Sequence, residues 1–284
     1  MRFLILGASG MAGHVISIYL KEKGHDVAGY CRRSIGFVEY IKGDIKNVQR
    51  LKNVIETENY DIVVNAAGVL NQFAEADKES AVFLNSYLPH LLAKLTENMN
   101  TRVIHMSTDC VFSGKNAPYT ENSFRDGESF YERSKALGEL NDGKNLTLRN
   151  SIVGPDINEN GIGLFNWFMK QNGEINGYTN AMWTGMTTLQ LAKTIEAAAL
   201  SDAHGLVNMV YKENISKYEL LKLFDRYMRN NEVKINPYDD FSLDKTLVRT
   251  NFEFDYTVPD YETMITEMSK WIREHKHLYP HYKL

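Results

Sequence analysis

The chain has 284 residues, which is enough for one large or two modest domains with a full hydrophobic core. Its 32 basic and 36 acidic side chains give a net charge of -4 with no strongly basic stretch, which excludes the electrostatic footprint of a nucleic-acid-binding protein and favours small-molecule partners. The two cysteines, Cys31 and Cys110, lack metal-ligand spacing and indicate a reduced, cytoplasmic protein, and no apolar run reaches the roughly 20 residues needed to cross a membrane.

The first predicted elements are a buried parallel strand at residues 3–6, the glycine-rich turn GASGMAG, and a helix that stops near Gly24. Strand, glycine turn and helix in this order are typical of a dinucleotide site, where glycine permits a tight turn and the close approach of a pyrophosphate to the positive end of the helix. An ordinary glycine-rich turn of an α/β protein is the alternative. The candidate cofactor-binding residues of the turn are Gly7, Ser9, Gly10, Met11 and Gly13.

The second predicted strand, HDVAGYC, ends at Arg32 and Arg33. An NAD site usually places an acidic residue at this point to hold the ribose hydroxyl groups. Two guanidinium groups could instead clamp a 2′-phosphate. We therefore predict NADPH as the cofactor, with NADH as the alternative, and a solvated loop is the competing interpretation of the two arginines.

Strands and helices alternate through the rest of the first half. A strand at 61–65 closes on the small residues Ala66, Ala67 and Gly68, which leave room for a ligand, and a long helix follows with Asp77 as its N-cap. TRVIHMSTDCVF is predicted as the next buried strand.

This alternation predicts an α/β fold with a doubly wound parallel, Rossmann-like sheet. We expect a dinucleotide-binding domain at 1–154. After Gly154 and Pro155, residues 155–284 are expected to form mainly a smaller C-terminal α/β substrate lobe, with some segments returning to the first domain.

The chemistry is expected beyond the carboxyl ends of the strands, where such sheets bind their ligands. Within YERSK, Tyr131 and Lys135 are four residues apart and share one face of a helix. Three other Tyr–Lys pairs have the same spacing, so the spacing alone does not identify a site. Only this pair follows a core strand that ends in hydroxyl residues, Ser107 and Thr108. We therefore select Thr108, Tyr131 and Lys135 as the candidate catalytic residues.

GASGMAG, NAAG, STD, YERSK and the following ALGEL together resemble the extended short-chain dehydrogenase/reductases, specifically the dTDP-4-dehydrorhamnose reductase group. The resemblance is strong for residues 1–150 and looser beyond them. It implies that Asp44 and Ile45 flank the adenine of the cofactor and that Asn85 lies behind the active site. It also implies reduction of a nucleotide-linked 4-keto-6-deoxy sugar for deoxysugar and surface polysaccharide biosynthesis. A homodimer through the helices at 77–98 and 131–140 is expected on the same ground.

The reaction that the resemblance implies needs a hydride on carbon and a proton on oxygen. Tyr131 would donate that proton as general acid. Lys135 would lower the tyrosine pKa from its ordinary value of about 10 and, as in the family, hydrogen-bond the nicotinamide ribose. Thr108 would place the substrate carbonyl, with a hydroxyl that satisfies its own backbone as the alternative.

Neighbouring residues separate this reaction from those of related enzymes. Dehydratases of the superfamily carry an acidic pair after the threonine, whereas this chain has Asp109 and then Cys110. Cys110 stands where the epimerase-reductases that make GDP-fucose have a catalytic cysteine, but the matching stretch PDINENGIGLFNWFMK lacks the histidine that they also need. Plain reduction is therefore favoured. An epimerase/reductase that uses Cys110 and a non-catalytic NADP-sensing binding protein are the alternatives.

The candidate substrate-binding residues are Asn71, Asp109, Asn150 and Trp183. An exposed indole at Trp183 could contact a sugar or base, with a core tryptophan as the alternative. The expected substrate is dTDP-4-dehydrorhamnose or a UDP-linked N-acetylated 4-ketohexose. Near the end of the sequence, HKHLYPHYKL contains three histidines and is interpreted as a frayed tail, with no metal site expected.

Overall fold

The computed structural model describes residues 1–283. In chain order the strands are β1 (Arg2–Leu6), β2 (Asp26–Cys31), β3 (Glu39–Lys42), β4 (Ile62–Asn65), β5 (Arg102–Ser107), β6 (Leu146–Arg149), β7 (Ser151–Val153), β8 (Glu174–Trp183), β9 (Gly185–Thr187), β10 (Gly205–Asn208), β11 (Ile215–Ser216) and β12 (Lys234–Asp244). The helices are α1 (Met11–Glu22), α2 (Val48–Thr57), α3 (Asn71–Ala76), α4 (Lys78–Ala81), α5 (Leu88–Thr96), α6 (Phe130–Leu137), α7 (Leu164–Phe168), α8 (Thr188–Ala199), α9 (Lys217–Met228) and α10 (Tyr261–Glu274).

Seven strands form one parallel sheet in the order β10-β6-β5-β4-β1-β2-β3. The chain order reverses between β1 and β4, so ligands are expected beyond the carboxyl ends of these two strands. Helices cover both faces of the sheet, and β4 is accordingly buried along its whole length. The predicted doubly wound, Rossmann-like α/β fold is confirmed.

One strand of the main sheet comes from the second half of the chain. β10 pairs in parallel with β6, with Leu206 opposite Thr147. Helices α1 and α8 also join the two halves of the chain: they pack together, and the Tyr19 hydroxyl donates to the Glu196 carboxylate at 2.8 Å. The hydrophobic core is therefore continuous across residue 154.

The remaining strands form two small sheets beside the main one. β8 lies between β11 and β12, antiparallel to the first and parallel to the second, and β7 pairs with β9. Helix α9 packs closely on β8, because a Cβ at Gly177 would lie 2.7 Å from the Tyr218 ring. We refer to these elements together as the smaller lobe.

The helix predicted from Asp77 is present but is interrupted. The Asp77 carboxylate caps α4 by accepting from the Ser80 amide at 3.0 Å, as predicted. A π-helical stretch, Val82–Tyr87, then joins α4 to α5. Within residues 1–283 no helix is long and apolar enough to span a membrane.

The interpretation of HKHLYPHYKL as a frayed tail is wrong for residues 275–283, and Leu284 lies outside the described residues. Tyr279 and Tyr282 are only 1% and 6% exposed, and their rings stack with centroids 5.5 Å apart. Two aromatic side chains bury enough apolar surface to hold a short segment that has no regular periodicity.

Candidate active site

The glycine turn joins β1 to α1 at the carboxyl edge of the sheet. Gly7 has a φ of +80°, which favours glycine. A Cβ at Gly13 would lie 2.2 Å from the Gly7 carbonyl oxygen, so only glycine lets α1 pack this closely on the turn. Gly10 is the N-cap of α1 and brings no side chain over the first-turn amides. This cradle, which also contains Ser9 and Met11, fits the pyrophosphate of a dinucleotide.

Further candidate cofactor residues lie at the same edge. Arg32 and Arg33 follow β2 directly and are exposed. The Tyr30 hydroxyl near the end of β2 donates to the Asp44 carbonyl at 3.2 Å, which holds Asp44 and the following Ile45 near this strand.

The small residues after β4 form the other wall of the turn. A Cβ at Gly7 would lie 3.0 Å from the Ala66 carbonyl oxygen. Ala67 and Gly68 follow, and Asn85 holds the next residue by accepting from the Val69 amide at 2.8 Å. Asn85 also donates to Ser134 Oγ on α6 at 3.0 Å. It therefore ties this wall to the helix that carries Tyr131, at the position that the family resemblance implies.

Helix α6 places Tyr131 and Lys135 beside the end of β5. A capping box between Ser129 and Glu132 fixes the start of the helix, so that Tyr131 lies in its first turn. Tyr131 and Lys135 are 8% and 6% exposed, and the Lys135 Nζ donates to the Met106 carbonyl of β5 at 2.7 Å. Thr108, directly after β5, accepts from the Cys110 amide at 3.2 Å and lies close enough to Tyr131 to lower the pKa of its phenol. The structure therefore brings the three candidate catalytic residues together.

The electrostatics of Tyr131 differ from the sequence-based expectation. Burial raises the pKa of Tyr131, the neighbouring Cys110 and Asp109 side chains raise it further, and the Thr108 hydroxyl opposes them. Lys135 was expected to lower this pKa, but its Nζ is engaged with Met106, and desolvation of the phenol is the largest effect. Burial also lowers the pKa of Lys135 to about 8, against the charge of Glu139. At neutral pH Tyr131 is therefore a protonated donor beside a lysine that is still mostly charged.

Asp109 and Cys110 directly follow Thr108 in the chain, and Asp109 is buried. Burial, followed by the Asp109 charge, raises the pKa of the Cys110 thiol to about 12. Burial also raises the pKa of Asp109, although the hydrogen bond with Thr108 and the charge of Lys245 lower it in part. A thiol with so high a pKa is neither a nucleophile nor a base at neutral pH.

Comparison with known proteins places the chain in a family. Residues 1–249 match the family model described as RmlD substrate binding domain. The chain belongs to this family. Its curated relatives include the "Probable dTDP-4,6-dihydroxy-2-methyloxan-3-one 4-ketoreductase" of Streptomyces antibioticus, 34% identical over 142 residues that cover 49% of this chain and 45% of the relative. Another is "Methionine adenosyltransferase 2 subunit beta" of Danio rerio, 30% identical over 139 residues that cover 49% of this chain and 42% of the relative.

The chain thus spans just under half the length of the curated relatives that it matches. A solved dTDP-4-dehydrorhamnose reductase from Bacillus anthracis in complex with NADP superimposes on this RmlD-family chain with a TM-score of 0.78. The superposition covers 94% of this chain and 98% of the other at 19% sequence identity, and it shows that the two share a fold.

Lys245, a charged residue beside Tyr131, could not be assigned to this RmlD-family site from the sequence. The Nζ of Lys245, in the segment after β12, donates to Glu132 Oε1 at 2.6 Å, and both side chains are mostly buried. Glu132 directly follows Tyr131, so the smaller lobe is ion-paired to the first turn of α6. Lys245 lies 113 residues from its partner, and its position in the segment SLDKTL, which resembles the family, was the only signal.

A buried ion pair between Arg149 and Glu139, also not predicted from the sequence, stabilises the C-terminal end of α6. Arg149 is fully buried and forms two hydrogen bonds of 2.7 Å to the Glu139 carboxylate. Glu139 also accepts from Ser107 Oγ at 2.6 Å. The carboxyl end of β5 and the residues after α6 are thereby held in one buried network.

The four candidate substrate-binding residues have different environments. Asn71 is exposed at the start of α3, whereas Asn150 is 3% exposed and its Nδ2 has no hydrogen-bond partner among residues 1–283. Asp109 lies beside Thr108, as described. The expected exposed indole at Trp183 is wrong: Trp183 is 5% exposed, packs against Tyr261 and belongs to the main core. Large apolar rings gain more by such burial than by remaining in a polar cleft.

Proposed function

We propose that this chain is an oxidoreductase that uses NADPH to reduce the 4-keto group of a nucleotide-linked 4-keto-6-deoxy sugar. The observation that carries the proposal is the convergence of Thr108, Tyr131 and Lys135 at the carboxyl end of β5, next to the glycine turn. Membership of the RmlD family and the 4-ketoreductase name of the Streptomyces antibioticus relative support the same reaction.

The residues at the sheet edge fit NADPH. Its pyrophosphate would lie at the uncovered first turn of α1, and Arg32 and Arg33 would pair with the 2′-phosphate. Asp44 and Ile45 would flank the adenine, as the family resemblance implies. When bound, the cofactor supplies the hydride that adds to the carbonyl carbon.

The chain's own side chains perform the other half of the reaction. Tyr131 donates its phenolic proton to the carbonyl oxygen, and its raised pKa keeps it in the protonated form that a donor needs. The Thr108 hydroxyl positions the carbonyl for this transfer. The positive charge of Lys135 favours the phenolate that remains on Tyr131 after the proton has left.

We propose dTDP-4-dehydrorhamnose or a UDP-linked N-acetylated 4-ketohexose as the substrate. Asn71, Asp109 and Asn150 are the side chains that we assign to its recognition. The amide nitrogen of Asn150 supports this assignment, because a buried donor without a protein partner is costly unless a ligand or water accepts from it.

The test follows NADPH absorbance with a panel of dTDP- and UDP-linked 4-keto-6-deoxy sugars. Tyr131→Phe should reduce turnover by about 10²–10⁴-fold, the usual contribution of a general acid, and leave the NADPH dissociation constant nearly unchanged. Tyr87→Phe, at a half-exposed tyrosine on the neighbouring π-helical stretch, is the control. Retained turnover in Tyr131→Phe would refute the assignment, and equal dissociation constants for NADPH and NADH would refute the cofactor preference.

A non-catalytic NADP-binding subunit is the second candidate, because one relative is named as a subunit of methionine adenosyltransferase. The retained Thr108, Tyr131 and Lys135 argue for catalysis. Tight NADPH binding without oxidation by any member of the panel would favour the subunit. The protonated Cys110 thiol gives little support to the epimerase alternative.

We further propose a homodimer in the cytoplasm. Val82 and Tyr87 are 49% and 51% exposed on the helical region 77–98, and Leu137 is 70% exposed on α6, so these helices present apolar surface that a second copy could cover. Cys31 and Cys110 are free, as in a reducing compartment. Sedimentation analysis of Leu137→Glu and of the wild type tests the dimer. The same solution mass for the two proteins would argue against this surface.

A further inference from the structure

Residues 275–282, which we call the strap, lie along α1. The His275 ring stacks on Trp271 with centroids 4.2 Å apart, and its Nε2 lies 2.8 Å from the carboxylate of Glu22, the last residue of α1. The other end of the strap carries the buried, stacked rings of Tyr279 and Tyr282. The strap therefore extends from the last residue of α1 towards its first turn.

Tyr279 reaches the glycine turn through one fully buried histidine. The His14 Nδ1 lies 2.9 Å from the Gly10 carbonyl oxygen, and its Nε2 lies 2.7 Å from the Tyr279 hydroxyl. Because a carbonyl can only accept, Nδ1 carries the proton and Nε2 accepts from Tyr279. The His14 amide donates to the same carbonyl at 3.1 Å. The hydrogen bond from Tyr279 thus stabilises the His14 tautomer in which Nδ1 donates to the carbonyl of Gly10, the N-cap of α1.

Tyr282 holds a second segment beside the turn. Its hydroxyl accepts from the Asp156 amide at 2.9 Å and donates to Asn166 Oδ1 at 2.8 Å. Asn166, fully buried in α7, in turn donates to two carbonyl groups of the loop between Asp156 and α7, at 3.0 and 2.7 Å. One tyrosine hydroxyl is therefore the link between this loop and the strap.

The end of this loop borders the first residue of α1. A Cβ at Gly163 would lie 2.9 Å from the sulfur of Met11. The loop accordingly packs at the N-terminal end of α1, where the helix dipole and the first-turn amides favour an anion. The strap is connected both to the turn itself and to the loop that adjoins it.

We propose that Tyr279 and Tyr282 are positioning residues for a bound dinucleotide pyrophosphate. This inference rests on the proposed function, because it takes the glycine turn as the cofactor site. Tyr279 acts through His14 on Gly10, and Tyr282 acts through the Asp156 amide and Asn166 on the adjoining loop. Both hydroxyl groups hold segments at the N-terminal end of α1, so their loss weakens NADPH binding and leaves substrate binding unchanged.

The experiment removes each hydroxyl with Tyr279→Phe and Tyr282→Phe in the full chain. Tyr261→Phe is the matched control, because Tyr261 is equally buried and its hydroxyl donates to the Glu213 carbonyl at 2.5 Å in the smaller lobe. Fluorescence titration gives the NADPH dissociation constant, steady-state kinetics give KM for the sugar nucleotide, and thermal unfolding gives Tm. If the hydroxyl groups had a purely structural role, the variants would have a lower Tm, and the NADPH dissociation constant and KM for the sugar nucleotide would change together.

Each strap variant should raise the NADPH dissociation constant by about 3- to 10-fold, the effect of one buried hydrogen bond, with KM for the sugar nucleotide within about twofold of wild type. Unchanged NADPH affinity, or the same loss in Tyr261→Phe, overturns the role of the strap while the proposed function stands. Failure of the wild type to bind NADPH refutes the proposed cofactor site and the inference together.

Discussion

The ion pair between Lys245 and Glu132 should contribute measurably to stability, and Lys245→Met tests this. The two side chains are 13% and 17% exposed, and the Nζ lies 2.6 Å from Oε1. The variant keeps the apolar stem of the side chain and removes only the charge. Lys245→Arg, which keeps the charge, separates electrostatics from packing.

The expected loss follows from the geometry of the pair. At 2.6 Å the attraction between unit charges is about 6 kcal/mol with an effective dielectric constant of about 20. Desolvation of both groups and immobilisation of the lysine offset more than half of this attraction. In the variant the Glu132 carboxylate loses its ion-pair partner but still accepts hydrogen bonds from the Glu128 and Ser129 amides, at 2.7 and 2.9 Å. We therefore expect Lys245→Met to lower the free energy of unfolding by about 2–3 kcal/mol, or roughly 3–5 °C in Tm for a chain of 284 residues.

The assay is a double-mutant cycle with Glu132→Gln, measured by urea unfolding. A second cycle with Lys115→Met and Glu128→Gln provides the control, because Lys115 pairs with Glu128 on the surface, where the side chains are 69% and 67% exposed and such pairs contribute little. A coupling energy between Lys245 and Glu132 below about 0.5 kcal/mol, or equal to that of the surface pair, would refute the reasoning.

Three further predictions concern the glycine turn, the buried His14 and the Cys110 thiol. Gly13→Ala places a Cβ 2.2 Å from the Gly7 carbonyl oxygen, so α1 must shift, and a fluorescence titration should show NADPH affinity reduced by about tenfold or more. Burial lowers the pKa of His14 from 6.5 to about 4, so the unfolded chain binds the proton more readily, and stability falls as pH drops from 6.5 through 4 by up to about 3 kcal/mol. Urea unfolding at pH 7 and pH 4.5 should show a smaller fall in His14→Gln than in the wild type. Cys110→Ser should keep most of the reductase activity, and alkylation of the Cys110 thiol at pH 7 should be slow because its pKa is raised to about 12 by burial; loss of turnover in this variant would support the epimerase alternative.

Features that depend on short stretches of sequence were predictable. The glycine turn, the buried strands and the helix with Tyr131 and Lys135 each follow from residues within about ten positions of one another, where periodicity and backbone preference act. Their meeting at one edge then follows from the rule that parallel sheets present their carboxyl ends together.

Features that depend on distant partners were not predictable. The partner of Lys245 is 113 residues away, and His14 and Tyr279 are 265 residues apart. Neither contact leaves a periodic pattern in the sequence. Trp183 was misjudged for a related reason: the partners that bury it, such as Tyr261, come from another part of the chain. The pKa of Tyr131 was misjudged in direction because the degree of burial, which sets the desolvation cost, is a property of the whole fold.

The position of β10 at the edge of the main sheet has a consequence for synthesis of the protein. When the first 154 residues have left the ribosome, β6 is paired with β5 but still lacks β10 on its other edge. Helix α1 at that point lacks α8, which buries its outward face. An open strand edge beside an uncovered apolar helix is the usual template for aggregation, and the covering segments are made only some fifty residues later. A fragment ending near residue 154 should therefore accumulate as insoluble material, whereas the full chain should not.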